Sequence, residues 1–214
     1  MKKSTINIIN NLCNRYPILL ENKNTLTTTV ETFINCFENG GKLLVCGNGG
    51  SAADSLHIVG ELMKSFVLPR PLSEDMKSKI NSTGEYGEYL NSKLQGAFPA
   101  IALVGSSALE TAIGNDMASE FSFAQQVLGL GTKGDILLCI STSGNSRNVI
   151  YAIEVARAKG LVVIGVTGKT GGKMKEKCDY LLNVQESETY KIQELHLPIY
   201  HSICLALENE FYGE

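Results

Sequence analysis

The chain has no tryptophan, only three histidines and five prolines in 214 residues, and no apolar run near the ~18 residues that cross a bilayer. No membrane span is expected. It also lacks a surplus of either charge, with 19 Lys and Arg against 22 Asp and Glu for a net of −3. That balance leaves no basic footprint for nucleic acid. None of the six cysteines (13, 36, 46, 139, 178, 204) forms a Cys-x-x-Cys pair. Scattered thiols of this kind read as buried hydrophobes, not as a disulfide framework or zinc cluster, and point to a reducing compartment. Lys2 and Lys3 are followed by no leader-type apolar core, so the expected location is the cytoplasm. Neither the P-loop spacing nor the dinucleotide-binding glycine spacing occurs, so nucleotide binding has no support.

What is present centres on residues 46–62. The apolar Leu43-Leu44-Val45 leads into Cys46-Gly47-Asn48-Gly49-Gly50-Ser51, and a helical pattern through Ser55, Leu56, Ile58 and Leu62 follows. This reads as strand, tight turn and helix start. Glycines there let the backbone approach a ligand, and a helix N-terminus offers free N–H groups to an anion. One turn on, His57 and Glu61 stand four apart and share a helix face.

The rest of the chain alternates apolar runs with helical patterns. Two amphipathic stretches, interrupted by Pro17, fill residues 1–40; they either cover the domain or pair with another copy of it. Residues 67–98 read as an inserted surface segment with short helices at Ser73–Ile80 and Tyr86–Leu94. Further strands are expected at Ala100–Val104, Ile136–Ile140, Leu161–Val166 and Tyr180–Leu182. Helices are expected from Ser106, at Ala118–Leu128, after Ser146, and from Glu188 almost to the C-terminus. Gly114-Asn115-Asp116 is read as the break between the first two of these. Fully apolar strands alternating with helices predict an α/β fold, one domain built as a three-layer α/β/α sandwich on a five-stranded parallel sheet.

A second small-polar turn, Ser141-Thr142-Ser143-Gly144-Asn145-Ser146, follows the third strand and precedes a helix. Four hydroxyls around one glycine suit a phosphate, and the same residues also suit plain helix capping. His57 and Glu61 suit either a divalent metal or an acid/base couple. His196 and His201 share the last helix, with Gln193 eight residues before His201, a rise of about 12 Å. Pro198 offers a place for that helix to bend.

Together the glycine turn, His57, Glu61, the serine-rich turn, Gln193 and His201 resemble the sugar isomerase (SIS) domain family, of the phosphoheptose isomerase type, across about residues 5–210. The resemblance implies a flavodoxin-like SIS fold spanning 1–214, with N-terminal helices for oligomerisation, and a homotetramer. It implies conversion of sedoheptulose 7-phosphate to D-glycero-D-manno-heptose 7-phosphate through an enediol. By the same likeness Ser51, Ser141, Thr142, Ser143 and Ser146 hold the phosphate, and Asn48, Gly49, Gly50, Asn115 and Asp116 line the site. One zinc ion per subunit is implied at His57, Glu61, Gln193 and His201, with Glu61 as base, His201 as its partner and His196 without a role. Two departures stand out: the 67–98 insert, and Ser65 beside Lys64 where the family places an arginine. Lys191 or Arg70 are the expected replacement charges. Isomerisation of another sugar phosphate, or a non-catalytic SIS adaptor for a replication initiator protein, are the alternatives.

Overall fold

The computed structural model describes residues 1–214. The five apolar runs become strands β1 (Leu43–Gly47), β2 (Ala100–Ala102), β3 (Ile136–Ser141), β4 (Val162–Thr167) and β5 (Tyr180–Asn183). All neighbours pair in parallel, in the order β2-β1-β3-β4-β5. Leu43, Val45, Ile136, Leu138 and Ile140 point into one core, and Leu44, Cys46, Leu137 and Cys139 into the other. Burial from both sides is why these strands read as continuous apolar runs instead of alternating.

Nine helices complete the chain: α1 (Lys3–Arg15), α2 (Lys23–Glu38), α3 (Gly50–Met63), α4 (Glu74–Asn81), α5 (Gly87–Lys93), α6 (Ser107–Asp116), α7 (Ser122–Leu130), α8 (Arg147–Lys159) and α9 (Thr189–Tyr212). Leu12, Leu26, Val30, Phe33, Ile58, Leu62 and Ile203 carry α1, α2, α3 and α9 onto the first face. Phe123, Val127, Val149 and Ile153 carry α7 and α8 onto the second. The amphipathic faces of α1 and α2 thus cover their own domain. The result is the expected three-layer α/β/α sandwich.

Pro17 interrupts the leading helices as expected: α1 stops at Arg15 and Pro17 opens a short 3-10 turn to Asn22. One local reading is corrected. Gly114 does not break its helix, since α6 runs to Asp116; one glycine in a helix costs only about 1 kcal/mol. α9 continues through Pro198 as one helix.

The segment 67–98 is closed at its base. Gly96 N–H donates to Arg70 O at 2.8 Å, Phe98 N–H to Leu62 O at 3.0 Å, and Ser65 donates twice to Gln95 Oε1. α4 and α5 pack chiefly on each other. Arg70, read as a surface residue, is instead fully buried. Its Nε donates to Glu208 Oε1 at 2.8 Å, and its Nη1 and Nη2 to the carbonyls of Leu62 and Glu61, while the guanidinium lies 4.9 Å from the Phe98 ring centre. Glu208 also accepts the N–H groups of Phe66, Val67 and Leu68 at 2.7–2.8 Å. Burial alone would raise the Glu208 pKa; these donors outweigh it and hold the carboxyl below its usual range.

Candidate active site

Strand order 2-1-3-4-5 reverses winding between β1 and β3, and open parallel sheets bind ligands beyond the carboxyl ends of the strands at that reversal. The turns after β1 and β3 meet there. A cleft of about 330 Å³ takes in Asn48, Gly49, Gly50, Ser51, Ser141, Thr142, Ser146 and Gln193. The N-termini of α3 and α8 both open on it. Gly50 lets the Gln193 side chain come close: a Cβ there would lie 2.5 Å from Gln193 Nε2 and would push that amide aside. Gly144 is required by its left-handed φ of +64° and by Gly171 O, 2.1 Å from where a Cβ would stand. Ser141 Oγ and Ser146 Oγ are 3.1 Å apart, one partner each in a hydroxyl pair that an anion can enter. Ser143 is not in the lining, and its Oγ accepts the Asn145 N–H within the turn.

No lysine or arginine lines this cleft. Lys191 pairs with Glu188 at 2.8 Å, and Arg70 is committed to Glu208, so neither supplies the charge expected of it. Backbone N–H groups, hydroxyls and two helix dipoles remain to hold an anion. Beside the cleft, Asn48 and Asn148 exchange side-chain hydrogen bonds at 3.0 and 2.8 Å. Beyond Asn48 lies a second cleft of about 470 Å³, bounded by Gly105, Glu110 and Ser122 among others. Asn115 and Asp116 line neither; they bond each other at the end of α6.

The acid/base candidates lie further along α3 and α9. Gly50 meets Gln193 and His57 meets Tyr200, each pair 143 positions apart in sequence, so the two helices run side by side in the same direction. Seven residues of helix place His57 about 10 Å from the phosphate end, with its side chain tilted back toward it. His57 Nε2 is 3.3 Å from Glu61 Oε1, and Lys64 Nζ is 3.1 Å from Glu61 Oε2. His201 stacks edge-on to His57 with ring centres 5.0 Å apart. Its Nε2 is buried without a partner. Burial, then the neighbouring His57, lower the His201 pKa, which keeps its imidazole neutral near pH 7.

Two residues here escape sequence reasoning. Tyr200 OH donates to Asp54 Oδ1 at 3.1 Å and lies 3.0 Å from His57 Nδ1. Burial raises the Asp54 pKa, and burial followed by the Asp54 charge raises that of Tyr200. Asp54 three before His57 was a readable signal; Tyr200 needed the helix register. His196 is completely buried with no well-formed hydrogen bond to either ring nitrogen, and burial lowers its pKa to about 4.

The implied metal set is only partly assembled. His57, Glu61 and His201 adjoin, while Gln193 stands two turns away at the phosphate cleft. No three His, Cys, Asp or Glu side chains close on a common point able to hold an ion. Two imidazoles and a carboxylate, one nitrogen of them buried and unpartnered, nevertheless fit a divalent cation chemically.

The SIS domain family model matches residues 9–93 and 93–168, two pieces that meet at the end of α5. The phosphoheptose isomerase of Burkholderia pseudomallei (strain 1710b) is 40% identical over 190 residues, covering 89% of this chain and 84% of that protein. The chain belongs to the SIS domain family, in its phosphoheptose isomerase group. The phosphoheptose isomerase of Aneurinibacillus thermoaerophilus is also 40% identical, over 84% of this SIS chain and 78% of its own. Among solved structures, phosphoheptose isomerase GmhA from Neisseria gonorrhoeae superposes with a TM-score of 0.72 at 33% identity, covering 96% and 94% of the two chains. The enzyme from Francisella tularensis gives 0.72 at 31%, covering 97% and 94%. The fold of this SIS domain is therefore that of two solved phosphoheptose isomerases.

Proposed function

We propose that the protein interconverts sedoheptulose 7-phosphate and D-glycero-D-manno-heptose 7-phosphate. The observation that carries this reading is the alignment of two groups along α3 and α9: an anion cleft at their N-termini and His57, Glu61 and His201 further down. A seven-carbon chain with its phosphate at C7, extended on C–C bonds of about 1.5 Å, spans roughly 9–10 Å to its reacting carbons. Helix geometry gives about the same separation.

In the forward direction Glu61 removes a proton from C1 of the ketose, and the electron pair forms the enediol as the C2 carbonyl oxygen takes a proton. Returning a proton to C2 and collapsing the C1 oxygen to a carbonyl gives the aldose. Lys64 Nζ holds Glu61 Oε2 at 3.1 Å, and Oε1, which faces His57 Nε2 at 3.3 Å, is the oxygen that takes the proton. His201, neutral, moves the proton between the two substrate oxygens. A zinc ion held by His57, Glu61 and His201 would polarise those oxygens as a Lewis acid. Gln193 binds substrate from the cleft wall. Ser51, Ser141, Thr142 and Ser146 grip the phosphate, and Ser143 shapes their turn.

We also infer a homotetramer. The groove of about 330 Å³ between α1 and α9, where Ile8, Leu12, Phe66 and Leu197 flank His201, is what a neighbouring copy would cover beside the reacting group. The test is turnover of sedoheptulose 7-phosphate in the presence of zinc. Wild type should form aldose and Glu61→Gln should lose at least 10²-fold in kcat. Absent turnover with this ketose, or full activity of Glu61→Gln, overturns the reading.

A further inference from the structure

We propose that Tyr200, oriented by Asp54, is a positioning residue that fixes the tautomer of His57, so that an unprotonated Nε2 faces Glu61. The phenol has one hydrogen, and an ionised carboxylate only accepts. Tyr200 therefore spends its hydrogen on Asp54 Oδ1 at 3.1 Å and presents an oxygen lone pair to His57 Nδ1 at 3.0 Å. His57 Nδ1 must be the donor. A neutral imidazole has one N–H, so Nε2 carries the lone pair, 3.3 Å from Glu61 Oε1. Two acceptors then face each other. The nearest cation, Lys64, is bonded to the other Glu61 oxygen and does not fill that space. The neighbouring His201 nitrogen is likewise without a partner.

Such a juxtaposition is favourable only with a cation between the acceptors, and Tyr200 keeps it from relaxing. Without the phenol, the His57 proton moves to Nε2 and bonds Glu61, closing the site to metal. A carboxylate or carbonyl behind a ligating histidine does this elsewhere; here a tyrosine relays it. Tyr200 stands on α9 beside His201 while Asp54 and His57 share α3, so the relay also ties the two helices at the reacting end.

The test reads the His57 tautomer in metal-free protein at pH 8 by long-range 1H–15N NMR. Wild type should carry the proton on Nδ1. Tyr200→Phe should move it to Nε2 and weaken zinc binding 10–100-fold in chelator competition. Asp54→Ala should do the same by the opposite route, since Tyr200 is then free to donate to Nδ1; it carries the test alone if Tyr200→Phe does not fold. A wild-type proton on Nε2, or both variants within twofold of wild type in zinc affinity, overturns the proposal. The kinetic arm rests on the isomerase reading: kcat should fall in Tyr200→Phe with KM changed less than twofold, because the phosphate grip is untouched. Protein that switches tautomer but never turns over the ketose fails that reading and leaves this one standing.

Discussion

Removing the Arg70 charge should destabilise the domain more than any other single change in the inserted segment. The side chains of Arg70 and Glu208 are 0% and 1% exposed, so solvent does not screen the pair. Breaking a buried pair by deleting one partner typically costs about 3–5 kcal/mol. Arg70→Met keeps the stem but leaves Glu208 with its three backbone donors, which still solvate the carboxylate. The carbonyls of Glu61 and Leu62 lose their partners. A loss of about 3 kcal/mol is expected, or roughly 10 °C in Tm for a chain of this size. Glu208→Leu should cost more, near 5 kcal/mol, because it strands the guanidinium and three N–H groups at once. The double variant should cost less than the two singles together, by about 2 kcal/mol. Urea unfolding of the four proteins at constant m value measures all of this. Arg70→Met within 1 kcal/mol of wild type, or strict additivity, would refute the reasoning.

Other outcomes follow from the same geometry. The Glu208 pKa is held below its unfolded value, so its stability contribution is present above about pH 4.5 and lost as pH falls through the folded value; Glu208→Gln should flatten that acid limb. His196 behaves differently: buried neutral with a pKa near 4, it costs the folded state stability as pH drops from 6.5 toward 4, by about 3 kcal/mol in all, and His196→Leu should remove that part of the pH dependence of urea midpoints. Ser141→Ala with Ser146→Ala should raise KM for the ketose phosphate at least tenfold with kcat little changed, since a hydrogen bond to a charged group is worth about 1.5–3 kcal/mol; an unchanged KM would remove the phosphate from that cleft.

Much of this fold was readable because both sheet faces are covered. Leu43 to Cys46 and Ile136 to Ile140 are wholly apolar, and such runs between helical patterns leave few topologies. The cleft was legible for a local reason: the turns that build it are contiguous, rich in glycine and serine, and each directly precedes a helix. Arg70 was not legible. Between two prolines in a polar stretch it looks like surface, and only Glu208, 138 residues away, gives it a buried partner. Tyr200 was hidden in the same way, as a residue whose meaning depends on which turn of α3 lies opposite. Gln193 and His201 were found by resemblance, yet α9 keeps them at two stations, one on the phosphate cleft and one beside His57.

The closed base of the inserted segment makes it a port in the architecture. The chain leaves at Arg70 and returns at Gly96 through a direct backbone hydrogen bond, so the domain registers the two ends and not what lies between them. Loop-closure entropy grows only slowly with length, by about 0.6 kcal/mol per doubling. A cargo far larger than α4 and α5 fits that doorway at little thermodynamic cost, provided Arg70 stays seated on Glu208. An engineer grafting a peptide or a second domain there has only to keep the anchoring of its first few residues, which this chain supplies ready-made.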